Sequence, residues 1–122
     1  MTPVLGTIII YARDMHASAA FYSKYFGFHS NGEVVDGLIE LINPSGGASI
    51  LIHQAAKSVK LGQAAIKLSF DVEDTNNFIL NARVNGLEFG PVHQANGYSF
   101  ANVKDPDGNS ISISSRKFRN TA

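Results

Sequence analysis

The chain runs twice through one order of elements, a strand, a helix and then three short strands, and this internal repeat limits the folds open to it more than any other feature. In the first pass, "VLGTIIIY" (Val4 to Tyr11) is β-branched and aromatic and too short for a stable helix. It ends at "ARD", where Asp14 can cap a helix beginning near Met15. Within "MHASAAFYSKYFGF" the apolar positions Ala17, Ala20, Phe21, Tyr25 and Phe26 recur at helical spacing, and Gly27 stands where a helix stops. The spacing predicts an amphipathic helix that buries this face. "FHSNGEVV", "GLIELI" and "ASILIHQ" then read as strands, parted by Asp36-Gly37 and by "NPSGG", turn chemistry expected of hairpins.

The second pass has "AAIKLSFDV" as strand and "DTNNFILNARVNG" as a helix capped by Asp74 and stopped by Gly86, with three more strand candidates after it. Sliding one half by sixty places sets Thr7 on Lys67 and Asp14 on Asp74, with Gly27 and Gly86 close to register. Between the halves, "QAAKSVKLGQ" has no strong period and no apolar face, and reads as a linker or mobile loop. The expected organisation is one domain over residues 1–122, with module one at about 1–54, a linker at about 55–63 and module two at about 64–116.

Composition narrows the function classes. A chain of 122 residues that is 44% hydrophobic and 16% charged can bury a core, and it contains no apolar run long enough to span a membrane. Ten basic and ten acidic residues cancel, and no Lys/Arg cluster precedes the tail "SRKFRN", so no electrostatic case exists for nucleic acid or an anionic membrane. The lack of cysteine excludes disulfides, thiolate metal sites and a thiol nucleophile. "MTPVLGTIII" has neither a basic n-region nor a cleavage signal, and a cytoplasmic address is the expectation.

Strand residues alternate faces, so the strands sort into two sets. One holds Ile8, Ile10, Ile50, Ile52, Ile66, Leu68, Phe70, Ile111 and Ile113, an aliphatic surface suited to lie beneath the helices. The other holds Thr7, Ile9, Tyr11, Ser49, Leu51, His53, Lys67, Ser69, Ser110, Ser112 and Ser114. Lys67 is the most informative member, because an ammonium on a half-buried strand costs desolvation unless it meets an anion. It meets a ligand, snorkels to the rim, or pairs with a protein carboxylate such as Glu33, Glu40 or Asp71.

Three stretches, "RDMHASAAFYSKYFGF", "FDVEDTNNF" and "VKDPDGNSISI", together carry a resemblance to the vicinal oxygen chelate superfamily, which includes glyoxalase I, extradiol dioxygenases and the fosfomycin and bleomycin resistance proteins. The resemblance covers nearly the whole chain. It implies an α+β fold in which two βαβββ modules form a cup-shaped, partly open mixed sheet with helices outside and the polar face inward. The Asp-Pro-Asp-Gly-Asn turn has a structural explanation, with Pro106 presetting φ and Gly108 or Asn109 tolerating positive φ, and Asp105 and Asp107 receive no catalytic role.

Metal-dependent relatives place ligands at positions that match Thr7, Leu51, Lys67 and Ser112 here. Leucine offers no donor atom, hydroxyls are weak donors and an ammonium repels a cation, so no metal and no cofactor is expected. A displaced metal site would draw on His53, Asp71 and His93, which have no local spacing typical of a metal motif. His16 and His29 read as surface residues. The expected ligand-binding set is Lys67, His53, Thr7, Tyr11, Ser112, Ser114, Tyr98 and Asn102, which would hold a small polar molecule carrying a carboxylate, phosphate or enolate-like oxygen. "NPSGGAS" lacks the lysine and the following helix of a phosphate-cradling loop.

Two function classes follow. One is a metal-independent binding or resistance-type protein, and the other is a lyase, isomerase or dioxygenase-type enzyme with a changed site. Bleomycin itself fits poorly: it is a large cation suited to an acidic aromatic groove, whereas this chain is neutral, has no tryptophan and presents Lys67. The open strand edges and small size point to a homodimer.

Overall fold

Asp14 has extended backbone, with φ −130° and ψ 100°, and its carboxylate accepts hydrogen bonds from the N–H groups of His16 and Ala17, both at 3.1 Å. Those donors have no partner inside a helix, so the cap fixes the start of α1 (Met15–Phe26). Gly27 ends α1 in the left-handed region at φ 76°, where the Gly27 and Phe28 N–H groups return to the last carbonyls. Asp74 repeats the cap at α2 (Thr75–Val84) through the Asn77 N–H at 3.0 Å. Asn85 caps the C-terminal end of α2, and Gly86 follows at φ 100°.

The computed structural model describes residues 2–120. The chain divides between Leu61 and Gly62 into two compact units. The first holds β1 (Thr7–Ala12), α1, β2 (Leu38–Leu41) and β3 (Ser49–Gln54), with the sheet ordered β1-β3-β2. β1 runs parallel to β3, with Thr7 opposite Ser49 and Tyr11 opposite His53, and β2 is antiparallel to β3. The second unit holds β4 (Lys67–Asp71), α2, β5 (His93–Ala95), β6 (Tyr98–Lys104) and β7 (Ser110–Ser114), ordered β4-β7-β6-β5. Here too the first and last strands pair in parallel, with Lys67 opposite Ser110. Among the described residues two α-helices and two open mixed sheets make an α+β fold.

In each unit one sheet face is apolar. Ile39, Leu41, Ile50 and Ile52 are buried in the first unit with Met15, Ala19 and Tyr22 of α1, and Ala101, Ile111 and Ile113 in the second with Ile79 and Ala82 of α2. Removing an aliphatic side chain of this size from water contributes about 1.5–3 kcal/mol. The buried stripe of α1 differs from the expected one. It is Met15, Ser18, Ala19 and Tyr22, while Ala17 and Ala20 are exposed and Phe21, Tyr25 and Phe26 are half-buried. Small residues at Ser18 and Ala19 let the helix approach the sheet, and the three aromatics gather along its shoulder, with Phe21 5.2 Å from Tyr25 and 5.8 Å from Phe26 between ring centroids.

Three other expectations shift. β1 begins at Thr7 rather than Val4, and Val4 and Leu5 are exposed. "FHSNGEVV" makes only the isolated bridges His29–Ile42 and Val35–Leu38. Its intervening N–H groups turn inward on local side chains, Gly32 N–H donating to Ser30 Oγ and Glu33 N–H to Asn31 Oδ1, in place of a ladder. Ile66, assigned to the core by alternation, precedes the first paired residue of β4 and is 70% exposed.

The turn between β6 and β7 is closed by Asp105, which is buried. Its Oδ1 accepts from the N–H groups of Asp107 and Asn109 at 2.9 Å each, and its Oδ2 accepts from Asn109 Nδ2 at 2.8 Å. Gly108 supplies the left-handed backbone at φ 84°. Gly62, itself at φ 73°, lies against this turn so closely that a Cβ there would stand 2.6 Å from the Asp107 carbonyl oxygen.

Candidate functional site

Strand pairing in the second unit sorts its polar face into rows. Lys67, Ser110 and Lys104 form one row across β4, β7 and β6, and Ser69, Ser112 and Asn102 form the next. The third runs Asp71, Ser114, Phe100 and His93. Paired residues share a face, so the side chains of each row stand side by side.

The first two rows make the candidate site. Lys67 Nζ donates to Asn102 Oδ1 at 2.9 Å, a diagonal contact between the rows, and Lys104 Nζ donates to Ser110 Oγ at 2.8 Å. Ser112 is buried, and its Oγ donates to Ser69 Oγ at 3.0 Å. A cavity of about 300 Å³ opens here, lined by Lys67, Asn102, Val103, Lys104 and Ser110. Lys67 is exposed rather than half-buried, and its partner is a neutral amide rather than Glu33, Glu40 or Asp71. Among the described residues neither lysine makes an ion pair; the pair Arg83–Glu88 lies elsewhere. The result is a small concave surface whose described lining residues include two cations and no carboxylate.

Lys104 is missing from the expected set, although a signal for it is present: Asn102 belongs to the expected ligand-binding set, and the residue two places along the same strand shares its face. Ser110 and Ser69 were sorted to the face but not to the site.

The remaining candidates are not among the residues that line this cavity. Tyr98 and His93 flank Phe100 with ring centroids at 6.4 and 5.1 Å, an aromatic cluster at the β5 side of the sheet. Ser114 is buried, and its Oγ accepts the Arg116 N–H. Thr7, Tyr11 and His53 belong to the polar face of the first unit, where Tyr11 and His53 pair across β1 and β3 with rings 5.0 Å apart. His53 Nδ1 lies 2.8 Å from the Gln54 carbonyl oxygen. A carbonyl only accepts, so Nδ1 is the donor in this contact.

Residues expected as metal ligands in metal-dependent relatives do not form a donor set for a divalent ion. Lys67 presents an ammonium, Leu51 has no donor atom, and the Ser112 hydroxyl is engaged by Ser69. Asp71 and His93 stand in one row but on opposite edge strands, three strand spacings or roughly 14 Å apart. Among the described residues no group of three or more His, Cys, Asp or Glu side chains is placed to hold a metal ion. Nor is any described helix long and apolar enough to cross a membrane.

Comparison with known proteins adds to this geometry. The family model described as Glyoxalase/Bleomycin resistance protein/Dioxygenase superfamily matches residues 4–113. No curated protein matches the sequence. Several solved structures share the fold. TnmS3, an antibiotic-binding protein from Streptomyces sp. CB03234, superposes with a TM-score of 0.75 at 16% identity, covering 93% of this chain and 94% of its own. Lactoylglutathione lyase from Agrobacterium tumefaciens gives 0.74 at 18% identity with 97% of each chain covered. A virulence protein from Salmonella typhimurium gives 0.72 at 23% identity, covering 93% of this chain and 97% of its own. These structural neighbours, one a binding protein and one a lyase, share the fold and differ in use.

Proposed function

Since the chain belongs to the glyoxalase/bleomycin resistance protein/dioxygenase superfamily, we propose that it is a metal-independent binding protein whose ligand is a small anionic molecule held on the polar face of β4, β7 and β6. The observation that carries this reading is Lys67, an ammonium in a cavity of about 300 Å³ whose hydrogen-bond partner is the neutral Asn102. Here one of the three N–H donors is spent on an amide oxygen and two remain, so an incoming carboxylate or phosphate gains charge-assisted hydrogen bonds without displacing an internal ion pair. The antibiotic-binding neighbour supports binding without chemistry as a use of this fold. A homodimer fits the open strand edges, and light scattering at micromolar concentration should then give about twice the chain mass.

The test is a thermal-shift screen of small acids, phosphates and neutral isosteres on the wild type and on Lys67→Met, which keeps much of the stem and removes the charge. Because Lys67 is exposed, its contribution is about 1 kcal/mol, or roughly fivefold in affinity. Stabilisation by acids that is lost in the variant supports the proposal. Equal stabilisation by acids and neutral isosteres refutes it.

A further inference from the structure

Resting on the reading of this cavity as an anion site, we propose that Lys104 is its second cation and that the two lysines together select a dianionic phosphomonoester head over monoanions. Ser110 stands between Lys67 and Lys104 in one row, opposite the first across β4–β7 and opposite the second across β6–β7. Strands about 4.8 Å apart put the two lysine Cα atoms roughly 10 Å from each other. Both side chains lean inward over the gap, since Lys104 Nζ reaches Ser110 Oγ at 2.8 Å and Lys67 Nζ reaches Asn102 Oδ1 at 2.9 Å.

Each ammonium has three N–H donors and spends one on a neutral oxygen, which leaves four for solvent or a ligand. Among the described residues no acid forms an ion pair with either ammonium. Asp105, the acid next in sequence to Lys104, alternates to the opposite face and spends both oxygens on N–H groups of its own turn. The volume of about 300 Å³ lies at the lower limit of small-molecule sites, which suits a compact head. A monoanion neutralises one ammonium and leaves the other facing it unpaired. A phosphomonoester, with close to two negative charges and three terminal oxygens, accepts from both.

Methyl phosphate and dimethyl phosphate are the discriminating probes, since they share a tetrahedral phosphorus but carry about two charges and one. Calorimetric titration of the whole chain near pH 8 should show methyl phosphate bound about tenfold more tightly than dimethyl phosphate. Lys104→Met should bring that ratio close to one, and Lys104→Arg should restore most of it, with folding checked by circular dichroism. If Lys104→Met leaves the ratio unchanged while Lys67→Met abolishes binding of both probes, the second cation is overturned and the anion site stands. Failure of the wild type to bind methyl phosphate, dimethyl phosphate or acetate overturns both.

Discussion

Gly62→Ala and Gly27→Ala form a matched pair that isolates one close approach in the fold. The two glycines have nearly the same left-handed backbone, φ 73° and 76°, so a Cβ introduces the same local strain at each, about 1 kcal/mol. Their surroundings differ. At Gly27 a Cβ meets nothing within 4 Å, whereas at Gly62 it falls 2.6 Å from the Asp107 carbonyl oxygen and 3.4 Å from two backbone atoms of Gly108. No side chain can swing aside to relieve that contact, so either residue 62 retreats or the turn moves. Moving the turn stretches bonds that close it, Asp105 N–H to the Asn109 carbonyl and Gly108 N–H to the Asp105 carbonyl, both 3.0 Å. One such bond and the displaced packing add about 1–2 kcal/mol. The expected destabilisation is therefore about 1 kcal/mol for Gly27→Ala and about 2–3 kcal/mol for Gly62→Ala. In a chain of this size these correspond to melting-temperature losses of about 4 °C and about 8–12 °C, followed by far-UV circular dichroism. If the two variants melt within about 2 °C of each other, the stretch before β4 does not press on the turn as described, and the reasoning fails.

Other substitutions test other parts of the architecture. Asp74→Ala removes the acceptor of the Asn77 N–H at the start of α2 and should cost about 1 kcal/mol in urea unfolding. Ile52→Ala, at a position with 0% exposure, should cost about 2–5 kcal/mol in the same assay, with a value below about 1 kcal/mol contradicting its place in the core. Elemental analysis after exposure to zinc, nickel, iron and manganese should find no stoichiometric ion, and one ion per chain lost on His53→Ala would revive the enzyme reading.

What the sequence made legible was mostly local chemistry. Asp14 and Asp74 announce helix starts because their carboxylates serve N–H groups two and three residues away, and Gly27 announces a stop because few other residues accept its φ. Alternation grouped Ser110, Ser112 and Ser114 on one face with Lys67 and Ser69, and the pairing of β4 with β7 keeps that grouping because the register of a strand fixes every second side chain. Features that depend on distant chain were harder. Whether "FHSNGEVV" joins a ladder is decided by competition between local side-chain acceptors and a neighbouring strand, and strand propensity does not record that competition. The buried stripe of α1 follows the close approach allowed by Ser18 and Ala19, which a count of apolar residues overlooks. The partner of Lys67 lies 35 residues away across an intervening strand, so no local pattern could have named Asn102.

The parallel pairing of first and last strands sets the order in which the cavity comes into being. Ser69 and Ser112 are 43 residues apart, while Lys104 and Ser110 are separated by 6. The longer closure costs about 1.7 kcal/mol more in chain entropy, so the β6–β7 hairpin gains its contacts early and β4 is recruited onto a ribbon already in place. Lys104 and Ser110 then meet in the nascent hairpin, and Lys67 arrives only when the longest loop of the unit has shut. On the reading of Lys67 as an anion-binding group, capture of an anion would report the final docking event of folding, because β4 and β6 are held side by side only once β7 stands between them.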